Sequence, residues 1–219
     1  MILLEEVLIV LNGVFKDKKT EYSEIVNSFD NIIAVDGGYK FLKNYVDTEP
    51  NTLIGDFDSL DRDSKSLAKF HGEVFEFPSD KDKTDGELSV DFCVKNGYKK
   101  ISFIGATGGR IDQQFGNILL LEYALKSGIE AKIIEPGLEI GIVDGKKVIN
   151  NKKDHTLSLF SVSDRVLIKK LKGCKYELND HWIERSSSRG LSNVIKESKT
   201  VIEVSSGILL YFVCEKWVV

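Results

Sequence analysis

Short apolar runs alternate with helix-like stretches over the first 130 residues of this chain. Residues 7–11, 32–35, 52–54, 74–77 and 101–104 have the length and composition of strands. Residues 39–45, 64–71, 86–96 and 112–127 have a helical pattern. Because strands that alternate with helices are typical of a sheet with crossover connections, we predict an α/β domain with a mostly parallel sheet at residues 1–130.

The pattern changes beyond residue 130, where β-rich runs follow one another without helical stretches. These runs are residues 133–134, 139–143, 156–162, 165–168, 201–204 and 208–213. Asp144-Gly145 lies between two of them and is a strong hairpin signal. Residues 131–219 are therefore predicted to form an all-β, sandwich-like second domain.

The composition excludes several kinds of protein. The chain has 219 residues, of which 42% are hydrophobic, and a formal net charge of −4. Lys and Arg are dispersed along it, so we expect no nucleic-acid partner. It begins without a basic signal-like segment and has no apolar run long enough for a bilayer, so we expect a cytoplasmic protein without a membrane partner.

Four acidic clusters lie in the first half of the chain, each beside an apolar run and near a glycine or a basic residue. They are Asp36 before Gly37 and Gly38, Asp56 with Asp58, Asp82 with Asp85, and Asp112 after Gly108, Gly109 and Arg110. Carboxylate oxygens are the ligands that Mg²⁺ prefers, and backbone N–H groups and cations bind phosphates. The clusters together predict a site for Mg²⁺ and a polyphosphate.

Asp56 and Asp58 are two residues apart in an extended stretch that leaves a strand. Their carboxylates can therefore point to the same side and bind one hard cation. The structural alternative is a polar turn in which Ser59 caps a helix.

Lys81, Asp82 and Asp85 place a cation and two carboxylates ahead of a predicted helix, where they can contact both a phosphate chain and its metal. The alternative is helix capping, since Thr84 and Glu87 have the spacing of a capping box. A capping box alone does not require the three charged residues.

Residues 105–112 read Gly-Ala-Thr-Gly-Gly-Arg-Ile-Asp and run from a strand into a helix. Such a loop can offer N–H groups to anionic oxygens, with Arg110 as a forked partner. It lacks the Gly-Lys-Thr/Ser ending of a Walker loop. The alternative is an ordinary tight turn, which has no need of Arg110, Asp112 and Asn117 together.

Taken in order, these motifs resemble those of the thiamine pyrophosphokinase family. The likeness extends to Gly-Cys-Lys-Tyr-Glu-Leu at residues 173–178 and to Ser-Ser-x-Gly-x-Ser-Asn at residues 187–193, which are similar to that family's thiamine-binding segments. The resemblance implies an α/β catalytic domain, a β-sandwich domain, and a homodimer with active sites between the catalytic domain of one subunit and the β domain of the other. It also implies the reaction of ATP with thiamine to give thiamine diphosphate and AMP.

The resemblance also implies the roles of individual residues. Mg²⁺ would bind to Asp56, Asp58 and Asp85, and Asp82 would lie near the thiamine hydroxyl or the metal. The residues expected to contact ATP are Asp36, Gly37, Lys81, Thr84, Thr107, Gly109, Arg110, Asp112 and Asn117. Those expected to contact thiamine are Tyr176, Ser187, Ser188, Ser192 and Asn193.

The chain departs from the family pattern at Tyr176, where some members have Trp, and in Arg185 and Arg189, which lie near a site for a cation. Two other functions remain open. An Asp-x-Asp pair at a strand end also suits a Mg²⁺-dependent nucleotide-sugar transferase. A module that senses a nucleotide or thiamine without turnover would also use the acidic clusters.

Overall fold

The structure, a computed structural model, describes residues 5–15, 17–56, 70–78 and 82–215. The chain divides into two compact units, Met1–Pro136 and Gly137–Val219. This division falls six residues beyond the predicted boundary of 130/131, because the strand formed by Glu130–Glu135 pairs with Lys100–Ile104 of the first unit. None of the helices in the described part is long and apolar enough to cross a membrane.

The first unit is built on a six-stranded sheet. Its strands are β1 (Glu6–Val10), β2 (Ile32–Val35), β3 (Thr52–Gly55), β4 (Glu73–Glu76), β5 (Lys100–Ile104) and β6 (Glu130–Glu135). Their order is β6-β5-β1-β2-β3-β4, and each neighbouring pair is parallel. The predicted α/β fold with a mostly parallel sheet is confirmed.

The described helices of this unit are α1 (Lys19–Asn27), α2 (Gly38–Phe41), which continues into a π-helical turn at Leu42–Val46, α3 (Asp85–Lys95) and α4 (Ile111–Lys126). Tyr22 and Val26 anchor α1 in a core that includes Leu8 and Val10 of β1. The helix predicted at 64–71 falls largely outside the described residues, and α1 was not predicted.

The second unit consists of two antiparallel sheets. Its strands are β7 (Leu138–Val143), β8 (Lys146–Asn150), β9 (Thr156–Ser161), β10 (Arg165–Lys172), β11 (Leu178–Glu184), β12 (Asn193–Val194), β13 (Lys199–Ser206) and β14 (Leu209–Cys214). The strand orders are β12-β9-β14-β7 and β11-β10-β13-β8. One core takes Leu159 and Tyr211 from the first sheet and Ile168 and Ile202 from the second. This shared core confirms the predicted sandwich.

Leu8 is fully buried on β1, between β2 and β5. We expect Leu8→Ala to lower the free energy of unfolding by about 2–5 kcal/mol, because the cavity it leaves cannot close completely. Val94→Ala, at an exposed site on α3, should change it by less than about 0.5 kcal/mol. Urea unfolding followed by circular dichroism measures both values, and equal losses would contradict the assigned core.

Candidate active site

The parallel register of the first unit brings several strand ends to one edge of the sheet. Val10 of β1 lies opposite Ala34 of β2 and Ile104 of β5, and Val35 lies opposite Ile54 of β3. The residues that follow these strands therefore leave the sheet side by side. They are Asn12, Asp36, Asp56 and Gly105. Ligands of open α/β sheets bind at this edge.

Two glycines allow polar side chains to lie against the backbone there. A Cβ atom at Gly37 would overlap the side-chain amide of Asn12, and one at Gly55 would overlap Oδ1 of Asp36. Any other residue at these positions would displace the polar group beside it. The close approach at Gly55 puts the carboxylate of Asp36 next to the backbone that leads into Asp56.

A cavity of about 490 Å³ opens at this edge, within the first unit and beside the N-terminal turns of α3 and α4. Its volume is in the range of small-molecule sites. The structure thus brings together five predicted site residues from three segments of the chain, namely Asp36, Thr84, Asp85, Asp112 and Asn117.

The remaining predicted residues of the first unit fall into three groups. Asp58 and Lys81 lie outside the described residues. Five belong to segments that supply the cavity wall without lining it themselves: Gly37, Asp82, Thr107, Gly109 and Arg110. Asp56 follows β3, a segment from which no described residue lines the cavity.

Asn12, Gln113 and Tyr123 also line the cavity and were not predicted. Asn12 follows β1 in Leu11-Asn12-Gly13, as Asp36 follows β2, so its place after a strand was a usable signal. Gln113 and Tyr123 lie on α4, where the sequence does not distinguish the face toward the cavity.

The start of α3 is fixed by hydrogen bonds on both sides of Asp85. Thr84 Oγ1 accepts from the Glu87 N–H at 3.2 Å, and Glu87 Oε2 accepts from the Thr84 N–H at 2.8 Å, so the capping box is present. Asp85 is therefore held in the first turn of a capped helix, facing the cavity.

Lys83 links the segment before α3 to both helices. Its Nζ donates to Asp91 Oδ2 at 2.6 Å and to the Tyr123 hydroxyl at 2.9 Å, and that hydroxyl donates to Asp91 Oδ1 at 2.7 Å. The hydrogen bonds to Asp91 and Tyr123 raise the pKa of Lys83, which keeps it charged. This network restrains α3 and α4 relative to each other beside the cavity.

The loop between β5 and α4 turns at Gly105, Gly108 and Gly109, whose φ angles are 67°, 84° and 74°. At its end Arg110 donates to Asp112 twice, from Nε to Oδ1 at 3.1 Å and from Nη2 to Oδ2 at 2.5 Å. The hydrogen bond from Arg110 lowers the pKa of Asp112. Both side chains are exposed, so an arriving anion can compete for the guanidinium.

In the second unit, Tyr176 lies in the connection from β10 to β11 with 61% of its surface exposed. The side chain of Asn193 binds its backbone: Oδ1 accepts from the Tyr176 N–H at 3.1 Å, and Nδ2 donates to the Tyr176 carbonyl at 2.7 Å. Asn193 is only 8% exposed. It is therefore placed to orient Tyr176.

The other three residues predicted for this unit lie between β11 and β12. The Ser192 N–H donates to Ser158 Oγ at 3.1 Å. Ser187 and Ser188 bond within their own loop, where Ser187 Oγ accepts from the Arg189 N–H and the Ser188 carbonyl accepts from the Leu191 N–H. Ser192 precedes Asn193 directly, so of the three it is the residue tied most closely to Tyr176.

Two family models match the chain. Residues 22–133 match "Thiamin pyrophosphokinase, catalytic domain", and residues 146–209 match "Thiamin pyrophosphokinase, vitamin B1 binding domain". The two matches cover most of the chain and fall on the two compact units.

Relatives and solved structures agree with these matches. A thiamine pyrophosphokinase of Bacillus subtilis (strain 168) is 29% identical over 167 residues, which cover 74% of this chain and 77% of the relative. The crystal structure of the Bacillus subtilis thiamine pyrophosphokinase superposes with a TM-score of 0.82 at 25% identity, covering 97% of this chain and 100% of that one. Yeast thiamin pyrophosphokinase, at 17% identity, shares the fold with a TM-score of 0.78, covering 96% and 86%.

Asn193→Ala should lower the free energy of unfolding by about 1–3 kcal/mol, because it leaves the N–H and carbonyl groups of Tyr176 without their partner. Asn179→Ala removes the same amide from an exposed position on β11 and should cost less than about 0.5 kcal/mol. Urea titrations of the two variants give both numbers. If Asn193→Ala lowered the free energy of unfolding no more than Asn179→Ala does, the two hydrogen bonds from Asn193 to the backbone of Tyr176 would contribute nothing measurable to stability.

Proposed function

Since the chain belongs to the thiamine pyrophosphokinase family, we propose that it transfers the pyrophosphoryl group of ATP to the hydroxyl of thiamine, giving thiamine diphosphate and AMP. The observation that carries this proposal is that Asp36, Asp85 and Asp112 line one and the same cavity, within the part matched by the catalytic-domain model. Carboxylates from separate segments are more than a simple binding module requires, and the comparisons favour this reaction over a nucleotide-sugar transferase.

The ATP phosphates are assigned to the edge of the sheet where α3 and α4 begin. Helix N-termini and glycine-loop N–H groups attract phosphate oxygens. Arg110 and Lys81 are the cations assigned to the polyphosphate, and Arg110 ends the loop that contains Gly108, a residue of the cavity wall. Asp112 and Asn117 shape the nucleotide side of the same cavity.

Mg²⁺ is assigned to Asp56, Asp58 and Asp85. Among the described residues no group of three potential ligands is close enough to hold a metal by itself. Asp58 is not among those described residues, and Mg²⁺ typically completes its coordination with substrate phosphates and water. When bound, the ion would neutralise charge on the phosphate oxygens.

The hydroxyl of thiamine has to reach the β-phosphorus in line with the departing AMP. Asp82 and Asp85 are assigned to orient this hydroxyl. A carboxylate is a weak base toward an alcohol, so the proton leaves late in the reaction. Tyr176 is assigned as the flat surface on which the cationic ring system of thiamine stacks, with Ser187, Ser188 and Ser192 contributing polar contacts.

The cysteines suit a reducing compartment. Cys93 and Cys174 are buried thiols outside any disulfide, and burial raises the pKa of each. We assign the enzyme to the cytoplasm on this ground.

The active enzyme is assigned as a homodimer with shared active sites. On α4, Ile111 is 82% and Phe115 61% exposed, and Leu119, one turn further, is half-exposed and reaches the cavity wall. Such an apolar stripe is typical of an interface.

The two units also carry opposite formal net charges. Residues 1–136 hold 24 acidic and 16 basic side chains, which gives −8, and residues 137–219 hold 10 acidic and 14 basic side chains, which gives +4. Opposite charges favour contact between unlike units of two subunits.

Asp85→Asn should lower thiamine-dependent AMP formation by about 10²-fold or more, because it removes a carboxylate assigned to the metal and the hydroxyl. Asp47→Asn makes the same chemical change at an exposed site that is not part of the cavity wall and has φ 62°, a conformation that Asn adopts readily, and it should leave the rate unchanged. A coupled assay for AMP measures both, and circular dichroism verifies folding. Near-normal turnover by Asp85→Asn would refute its assignment.

Mixing two variants tests the shared site, at a thiamine concentration at which neither variant alone shows measurable turnover. Asp85→Asn and Tyr176→Ala damage different units, so a mixed dimer has one site with both native residues, and an equilibrated equimolar mixture should recover about one quarter of the wild-type rate. The rate is measured after the subunits have exchanged, and sedimentation verifies the dimer. A mixture no more active than its components would place the whole site within one chain.

A further inference from the structure

Glu135 is a buried carboxylate that lies below the glycine loop. It ends β6, and only 7% of its surface is exposed. It takes part in none of the ion pairs between described residues. A carboxylate in such a place needs hydrogen bonds to offset its lost hydration.

Those hydrogen bonds come from two directions. The Tyr22 hydroxyl of α1 donates to Oε2 at 2.8 Å, and the Ala106 N–H of the glycine loop donates to Oε1 at 3.0 Å. Burial raises the pKa of Glu135, while Tyr22 and the N–H groups of residues 105–107 act in the opposite direction. The first half of the loop is thus bound to a buried carboxyl group.

The backbone of Ala106 also forms a hydrogen bond through its carbonyl group. Its carbonyl accepts from Asn117 Nδ2 of α4 at 3.0 Å, and Ala106 itself is buried. Both polar groups of its backbone are therefore held by side chains from different elements. Gly108 and Gly109, two and three residues further, are exposed, and Gly108 lines the cavity.

We propose that Glu135 is a positioning residue for the ATP phosphates, which acts by fixing residues 105–107 so that the second half of the loop is preset for the anion. The inference rests on the proposed assignment of this loop to the polyphosphate. A loop whose N–H groups are already oriented loses less conformational entropy when it binds. Without Glu135, the N–H of Ala106 would be free to reorient and the loop would have to be ordered by ATP.

Glu135→Leu keeps most of the volume of the side chain but removes both acceptor oxygens, so neither the Tyr22 hydroxyl nor the Ala106 N–H retains this partner. We expect the KM for ATP to rise about five- to tenfold, with kcat and the KM for thiamine within about twofold of wild type. Tyr22→Phe is the matched control, since it removes the bond to the same carboxylate on the side away from the loop. It should lower the melting temperature but leave the KM for ATP within about twofold.

Equal effects of the two variants on the KM for ATP, or no effect of Glu135→Leu, would overturn the inference. Arg110→Gln separates this failure from failure of the loop assignment. If Arg110→Gln raises the KM for ATP and Glu135→Leu does not, only the role of Glu135 is wrong; if neither does, the phosphates bind elsewhere. Should Glu135→Leu not fold, Glu135→Asp, which keeps the carboxyl group but withdraws it by one methylene, is measured against the same control, and an unchanged KM for ATP overturns the proposal.

Discussion

Parallel pairing of β1 with both of its neighbours is the constraint on which the rest of the first unit depends. Because Val10 lies opposite Ala34 and Ile104, the chain leaves three adjacent strands at one edge. The segments that leave must pass very close to one another. A Cβ atom at Gly13 would overlap the carbonyl of Gly105, as side chains at Gly37 and Gly55 would overlap Asn12 and Asp36. A glycine beside an acidic residue is therefore required by the close packing of the segments at this edge. The same pair of residues is also the sequence pattern that predicted a site for Mg²⁺ and a polyphosphate.

The sequence predicts the elements whose pattern is carried by apolar side chains. The strands at 32–35 and 101–104 match β2 and β5 within one residue because each is buried and bounded by polar turns. Helix α1 was not predicted, because Lys19–Asn27 buries only Tyr22 and Val26 and therefore has too few apolar residues for a helical pattern. Strand β11 was not predicted either, because it is an edge strand whose side chains are mostly exposed and so give no apolar pattern. Strand β6 belongs to the first unit because it pairs with β5. Pairing between segments that are distant in sequence cannot be predicted from one short run of residues.

The same distinction holds for the site. Asp36, Asp85 and Asp112 could be predicted because each lies beside a strand end or a helix start in a segment that also contains glycine or a basic residue, a combination that helix capping alone does not require. Asn12 has the same position but no charge, so it was overlooked. Nothing in the sequence indicated a role for Glu135, because a charged residue in a strand usually faces solvent. Its importance depends on contacts with Ala106 and Tyr22, which are 29 and 113 residues away in sequence.

The face of Tyr176 already attracts a cation, since Lys175 Nζ lies 5.1 Å from the centroid of its ring. A cation–π contact at an exposed site is worth about 0.5–1 kcal/mol. If Tyr176 is the platform for thiamine, the ligand replaces Lys175 there, and the gain is the difference between two similar interactions. The charge of the ligand then contributes little net affinity at this ring. Discrimination has to come from the shape of the stacked surface and from polar contacts, and the two hydrogen bonds from Asn193 hold the backbone that carries this ring.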